Sequence, residues 1–353
     1  MPATDRIIAD SEALLEAGLR YVSCKGKGYQ RVRHGKHFKY LDQNGNLIQN
    51  PQTLARIQAL VIPPAWEQVW ICATANGHIQ ATGIDVRLRK QYLYHPAWSQ
   101  LRKKDKFSAL YIFGQRLSRL QKHILKDLSS RQLSKERICA LALAVMSKTY
   151  FRIGNAAYEK ENKSYGLTTL RNRHVDISTT KVFFKFIGKK GIPQQSYLTE
   201  KSLVRLLAKV KEIPGQRLFQ YYDQDGQATP LDSGTLNAYL KAATHADITC
   251  KTFRTWYGCI LTLHYLGKSE IPTSDTARKQ QLLAVIDQVA QQLGNTRSIT
   301  RSHYIHPYIQ ESYLQGDLDN WIKRVSASPE RPSTDALYKR KLMQLIRSAS
   351  YNG

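Results

Sequence analysis

The sequence is short of acid, has no paired cysteines and lacks any long apolar run. Its 353 residues carry 27 Asp and Glu against 53 Lys and Arg, a formal net charge of +26. A positive excess of that size repels itself and is tolerated most easily by a protein that works on a polyanion. Nucleic acid is the leading candidate, and a pI near 9.9 fits it. An anionic membrane surface is the rival, but no long basic amphipathic helix dominates the chain. The five cysteines, Cys24, Cys72, Cys139, Cys250 and Cys259, are scattered and never form a CxxC pair. That argues against a disulfide framework or a zinc site and points to free thiols in a reducing compartment. The best apolar run, Ile138 to Met146, is too short to span a bilayer. The opening residues hold early acids and no apolar core segment, so no signal peptide is expected. The expectation is a cytoplasmic, nucleoid-associated protein with no membrane partner.

Phosphate-binding and metal-binding motifs are incomplete. Gly267-Lys268-Ser269 looks like the end of a phosphate loop, but position 262 is threonine where that motif needs glycine. Asp223 to Gly226 opens like a calcium loop, lacks the later ligands and reads as a turn. His303 and His306 have no obvious third ligand nearby. No dense carboxylate cluster suggests a catalytic magnesium site. Neither a metal nor another cofactor is expected. If the protein acts on phosphodiesters, its own side chains must supply the positive charge.

What is present falls into two patterns. Residues 1–90 read as a small, strongly basic β domain, after a short helix around Ser11 to Ala17. The run from Arg20 to Ile48 alternates basic with apolar or aromatic residues and breaks at Gly35 and at Asn44-Gly45, a hairpin signal. Val69 to Gly83 repeats the pattern around Asn76-Gly77. Within the first run Lys25, Lys27, Arg31, Arg33, Lys36 and Lys39 crowd together with Tyr29, Phe38 and Tyr40 among them. Such cations neutralise phosphates, and a β ribbon fits a major groove. Taken alone, one basic strand reads as a solvated face; its density and the global charge favour DNA contact. Arg87, Arg89 and Lys90 open an Arg- and Lys-rich stretch to Lys106 that is expected to hold the domain junction, and they are candidate DNA contacts too.

From there to residue 325 the pattern is mainly helical. Apolar residues recur at helical spacing over Phe107 to Leu128, Glu136 to Phe151, Leu203 to Val210, Gly234 to Ala243, Phe253 to Leu266 and Ser274 to Leu293. A further helix should begin near Ile299. A β insert interrupts this series, with a strand over Lys181 to Ile187, a turn at Gly188 to Gly191 and a return strand near Gln195 to Leu198. The tail, 326–353, opens with the linker-like SASPERPST and ends in a segment expected to form a peripheral basic helix.

Metal-free attack on a phosphodiester calls for guanidinium groups on the phosphoryl oxygens, an acid for the leaving alkoxide and a nucleophile able to conserve bond energy. Four stretches supply such a set. Tyr150-Phe-Arg-Ile-Gly-Asn155 places Arg152 at a helix end, and Phe186-Ile-Gly-Lys-Lys190 places Lys189 in the strand turn. Lys251-Thr-Phe-Arg-Thr-Trp256 places Arg254 in the first turn of a helix, and the segment Leu293 to Tyr304 closes the series. Each stretch alone is weak, because most arginines are surface charges and most tyrosines pack.

Together and in this order they resemble the type IB topoisomerases, especially the small bacterial and poxvirus-type branch. The resemblance runs from about residue 20 to 325 and includes IPPAW (Ile62 to Trp66), GIDVRLRKQYLYHPAW (Gly83 to Trp98) and YGLTTLRNRHV (Tyr165 to Val175). It implies an α+β protein, with a β-rich N-terminal domain and a larger, mainly helical catalytic domain clamping duplex DNA as a monomer. It also implies relaxation of supercoiled DNA through a 3′-phosphotyrosyl intermediate, without metal or ATP. Tyr304 matches the nucleophile, Arg152 and Arg254 the two catalytic arginines, and Lys189 the general acid, with Lys190 as the neighbour open to confusion. Asn295 stands where many relatives have histidine; asparagine can donate a hydrogen bond but cannot titrate near neutrality, which leaves a positioning role. A tyrosine recombinase uses a similar set but usually carries H-x-x-R, and here position 251 is lysine. A passive nucleic-acid-binding protein would explain the charge but not the ordered set.

Overall fold

The computed structural model describes residues 13–327 and 334–351. The extreme N-terminus and most of the SASPERPST linker therefore lie outside the described residues. The chain divides into two compact units, Met1–Lys106 and Phe107–Gly353.

The first unit is built on a five-stranded antiparallel sheet, ordered β2-β1-β3-β4-β5. Its strands are β1 (Tyr29–His34), β2 (His37–Leu41), β3 (Glu67–Ile71), β4 (Ile79–Ile84) and β5 (Lys90–Tyr94). Gly35, with φ +61°, makes the β1–β2 turn and pairs His34 with His37. The Asn44-Gly45 turn lies past β2 instead, held by Asp42, which accepts from the backbone N–H groups of Asn44 and Asn46. Helix α1 (Pro51–Ala59) starts at Asn50, whose side chain accepts from the Thr53 N–H. A small core of Ile57, Val69, Ile71 and Ala81 joins helix to sheet.

Strand β5 carries the sheet past residue 90 into the Arg- and Lys-rich stretch expected to hold the domain junction, and the first unit ends at Lys106. The Arg- and Lys-rich stretch conceals a period of two, in which Lys90, Tyr92 and Tyr94 point out and Gln91 and Leu93 are half-buried. Helix α2 (Pro96–Leu128) then runs across the division between the units.

The second unit is mainly helical. It contains α3 (Lys135–Thr149), α4 (Ala156–Asn162), α5 (Lys201–Lys211), α6 (Ser233–Thr244), α7 (Cys250–Gly267), α8 (Asp275–Gln292), α9 (Arg297–His303), α10 (Pro307–Leu314), α11 (Asp319–Ser326) and α12 (Thr334–Tyr351). A three-stranded sheet of β6 (Val175–Ile177), β7 (Val182–Ile187) and β8 (Pro193–Leu198) is ordered β6-β7-β8. The β7–β8 pair is the expected insert; β6 is an added strand, too short for its pattern to show. A second hairpin, β9 (Gln220–Tyr222) and β10 (Ala228–Pro230), turns at Asp223 to Gly226. There the Asp223 carboxylate accepts from the N–H groups of Asp225 and Gln227.

The core is continuous through this unit. Helix α3 is buried along nearly its whole length, which accounts for the Ile138–Met146 run. The C-terminal segment departs from expectation. Rather than a peripheral helix, α12 buries Tyr338, Leu342, Leu345 and Ile346 in the core. These residues recur at three and four, so one apolar stripe hides within a strongly basic segment. Among the described residues no helix is long and apolar enough to cross a membrane.

Candidate active site

Three of the four stretches place their polar groups where a regular element ends, and the fourth carries Arg254 within a helix. Helix α3 stops at Tyr150, whose left-handed backbone (φ 55°) still donates its N–H to the Met146 carbonyl. Phe151 then turns into the core against Phe184 and Phe186. Alternation sends the next side chain, Arg152, outward. Its guanidinium donates to the Gly294 carbonyl at 3.3 Å and to Oδ1 of Asn295. The two residues are thus brought together across 143 positions of sequence.

Arg254 lies in the first turns of α7, on a face almost closed to solvent, with 4 % exposure. It donates to the carbonyls of Tyr150 and Leu293. Its Cζ stands 5.2 Å from the centre of the Tyr304 ring. Burial lowers its pKa to about 10, still leaving it a cation at neutral pH.

Tyr304 caps the C-terminus of α9 and donates its N–H to the Thr300 carbonyl at 2.9 Å. Burial pushes its phenol up, but Arg254, Arg152 and Lys251, together with a hydrogen bond from Arg254, outweigh burial and leave it below the ordinary value. The approach of α9 to α7 depends on Gly258. A Cβ there would sit 2.5 Å from the Tyr304 carbonyl oxygen. The Cys259 thiol beside it donates to the same oxygen at 3.6 Å and accepts from the His306 N–H at 3.3 Å.

Lys189 follows β7 at the tip of the β7–β8 hairpin, where Lys190 adopts φ 65°. Its ammonium lies 5.6 Å from the centre of the Tyr158 ring. Partial desolvation and then Arg152 lower its pKa, with smaller contributions from Lys190 and Lys251; Tyr304 acts in the opposite sense. Asn295 completes the set. Its backbone N–H donates to the Ala290 carbonyl, its Oδ1 accepts from Arg152, and its buried Nδ2 has no partner among the described residues. The buried Nε of Arg254 is also unpartnered. Two donors are therefore held in place beside a tyrosine whose phenol pKa is lowered by neighbouring cations, an arrangement suited to an anionic oxygen.

The chain matches the family described as eukaryotic DNA topoisomerase I, catalytic core, over residues 95–314. It also matches the bacterial DNA topoisomerase IB N-terminal domain over residues 37–85. This chain belongs to the type IB DNA topoisomerases. It is 30% identical over 310 residues to DNA topoisomerase 1B of Acanthamoeba polyphaga mimivirus, covering 86% of this chain and 92% of that protein. It is 26% identical over 255 residues to DNA topoisomerase 1B of vaccinia virus, strain Copenhagen, covering 70% of this chain and 75% of that protein. The topoisomerase is accordingly a DNA-acting isomerase of a family that relaxes DNA by single-strand cleavage.

Sequence reasoning missed several residues around the topoisomerase site. Lys251 acts electrostatically on both Tyr304 and Lys189. Its signal was its place three residues before Arg254 on one helix, a spacing that puts side chains on one face. Tyr158 and Gly258 gave no comparable signal, because their roles arise only from contacts between distant segments.

The basic candidates of the first unit divide into two groups. Lys25, Lys27, Arg33, Lys36, Lys39, Arg87 and Lys90 are exposed. Arg31 instead donates to the carbonyls of Ile62, Pro63 and Trp66 and stacks on Phe38. Arg89 is held by the Asp85 carboxylate. Both are committed to protein acceptors, a use that charge counting along the sequence cannot distinguish from phosphate binding.

Proposed function

We propose that Tyr304 is the nucleophile of this topoisomerase, and that Arg152, Arg254, Lys189 and Asn295 serve it in the cleavage of one strand of duplex DNA. The observation that carries the reading is the buried Arg254 guanidinium over the Tyr304 ring, with Arg152 and Asn295 bonded to one another beside it. The Tyr304 phenol gives up its proton to solvent and its oxygen bonds to phosphorus. The bond from phosphorus to the 5′ oxygen breaks, and Lys189 gives that oxygen a proton. The strand is then held as a 3′-phosphotyrosyl ester while the duplex swivels. Religation reverses each transfer.

Arg152 and Arg254 balance the charge that grows on the phosphoryl oxygens, so the reaction needs no metal, and the phosphotyrosyl ester conserves the energy of the broken bond, so it needs no ATP. The Asn295 Nδ2 donates to one of those oxygens and moves no proton. Lys25, Lys27, Arg33, Lys36, Lys39, Arg87 and Lys90 bind backbone phosphates, whereas Arg31 and Arg89 shape the strands and turns that present them. The protein acts as a monomer on nucleoid DNA.

Trapping tests the reading. A DNA duplex is incubated with protein in excess EDTA, denatured and run on a gel. Wild type should yield a covalent protein–DNA adduct and Tyr304→Phe none. A folded, DNA-binding wild type that gives no adduct, or an adduct that persists in the variant, would overturn it.

A further inference from the structure

The motif Tyr165 to Val175 links the two halves of the site. The Leu167 N–H donates to the Arg152 carbonyl at 2.8 Å, and the Thr168 N–H to that of Ile153 at 2.7 Å. On its other side the Tyr165 N–H donates to the carbonyl of Ile187, two residues before Lys189. The segment is locked from beneath by Glu159 of α4. This carboxylate is 7 % exposed and lies between two guanidiniums, Arg171 at 2.8 Å and Arg217 at 2.5 Å. Arg217 also donates to the Thr169 carbonyl at 2.9 Å. The next residue back on α4, Tyr158, presents its ring to the Lys189 ammonium.

We propose that Glu159 and Tyr158 are positioning residues for Lys189: Glu159, held between Arg171 and Arg217, anchors α4, and Tyr158 aims the lysine at the leaving oxygen. The inference rests on the reading of Lys189 as the general acid. Helix α4 spans only Ala156–Asn162, too short to keep its place without tertiary support. The double ion pair fixes it to the strand-like segments at 171 and 217. Tyr158 then offers a ring face to the ammonium at the end of a long side chain. Without that face the ammonium wanders, and a displacement of about 1 Å from the reacting oxygen can cost on the order of 10²-fold in rate.

The experiment uses the full-length protein and two duplexes, one natural and one with the leaving 5′ oxygen replaced by sulfur. A thiolate departs without a proton, so a defect in acid catalysis disappears on the sulfur substrate. Lys189→Ala is the reference and should slow single-turnover cleavage of natural DNA by about 10²-fold or more. Tyr158→Leu and Glu159→Gln should each slow it by about tenfold or more, with noncovalent DNA affinity unchanged. Tyr158→Phe, which keeps the ring, should match wild type. On the sulfur duplex all of these variants should cleave near the wild-type rate. Because Tyr158 is 49% exposed, its substitution carries the test if Glu159→Gln does not fold. If Lys189→Ala is rescued by sulfur but Tyr158→Leu is unslowed, or equally slow on both duplexes, the positioning role is overturned alone. If Lys189→Ala cleaves natural DNA like wild type, the assignment of the acid fails and the positioning role falls with it.

Discussion

The Arg254 guanidinium stands over the Tyr304 ring, 5.2 Å from Cζ to ring centre, while bonding the carbonyls of Tyr150 and Leu293. One side chain thus ties the end of α3, the approach to α9 and the nucleophile together. It serves both as a structural pin and as the main cation lowering the phenol's pKa.

That double duty makes Arg254→Lys a severe change. Lysine keeps the charge but cannot span two carbonyls and face the ring with one planar group. Cleavage should fall by about 10²-fold or more, with DNA affinity little altered. Single-turnover cleavage and a binding isotherm check this; a rate near wild type would show that charge alone suffices.

Asn295 offers a contrast between two small changes. Asn295→Ala removes the donor aimed at the phosphoryl oxygen and should slow cleavage. Asn295→Asp keeps the acceptor for Arg152 but replaces the buried Nδ2 with a second oxygen and adds a negative charge. It should therefore cleave more slowly than Asn295→Ala. The reverse order in a rate comparison would argue against a donor role.

The pH dependence of cleavage should carry the mark of Lys189. Its protonated form is the acid, so this activity is present below its pKa and lost as pH rises through it. Desolvation and neighbouring cations hold that pKa below the ordinary 10.5. The alkaline fall in rate should accordingly have a midpoint under that value. Lys189→Arg, which stays charged, should move or remove this limb; an unchanged limb would assign it to another group.

His174 makes a prediction about stability. It is buried against Tyr165, its Nδ1 accepts from the Arg171 N–H, and burial lowers its pKa to about 4. The fold thus favours the neutral ring. Its contribution is fully present above the ordinary pKa of about 6.5, declines as pH falls, and is lost below about 4, a change on the order of 3 kcal/mol. Denaturant unfolding between pH 7.5 and 4 should show this decline. A His174→Gln variant should have a flatter profile, and an identical slope in both proteins would refute the assignment.

Much of this was legible in the sequence, and the rest has physical reasons. The hairpin around Gly35 and the helices of the second unit follow from period-two and helical patterning that burial enforces. Strand β5 and the burial of helix α12 escaped because basic residues on their outward faces masked the apolar positions beneath. At the site, Arg152, Lys189, Arg254, Asn295 and Tyr304 lie in four separate stretches that the fold brings together, and the resemblance could order them before any contact was seen. The clamp at Glu159 could not be read in the same way. Its partners, Arg171 and Arg217, are 12 and 58 residues away, and only tertiary structure brings them to one carboxylate.

The most direct test of the whole account is plasmid relaxation in excess EDTA without ATP, with wild type and Tyr304→Phe compared at equal DNA-binding capacity. The account predicts that wild type relaxes supercoiled plasmid and that the variant binds it but leaves it supercoiled. Relaxation by the variant at the wild-type rate would contradict the assignment of Tyr304, and a wild type that relaxes only when metal or ATP is supplied would contradict the proposed chemistry.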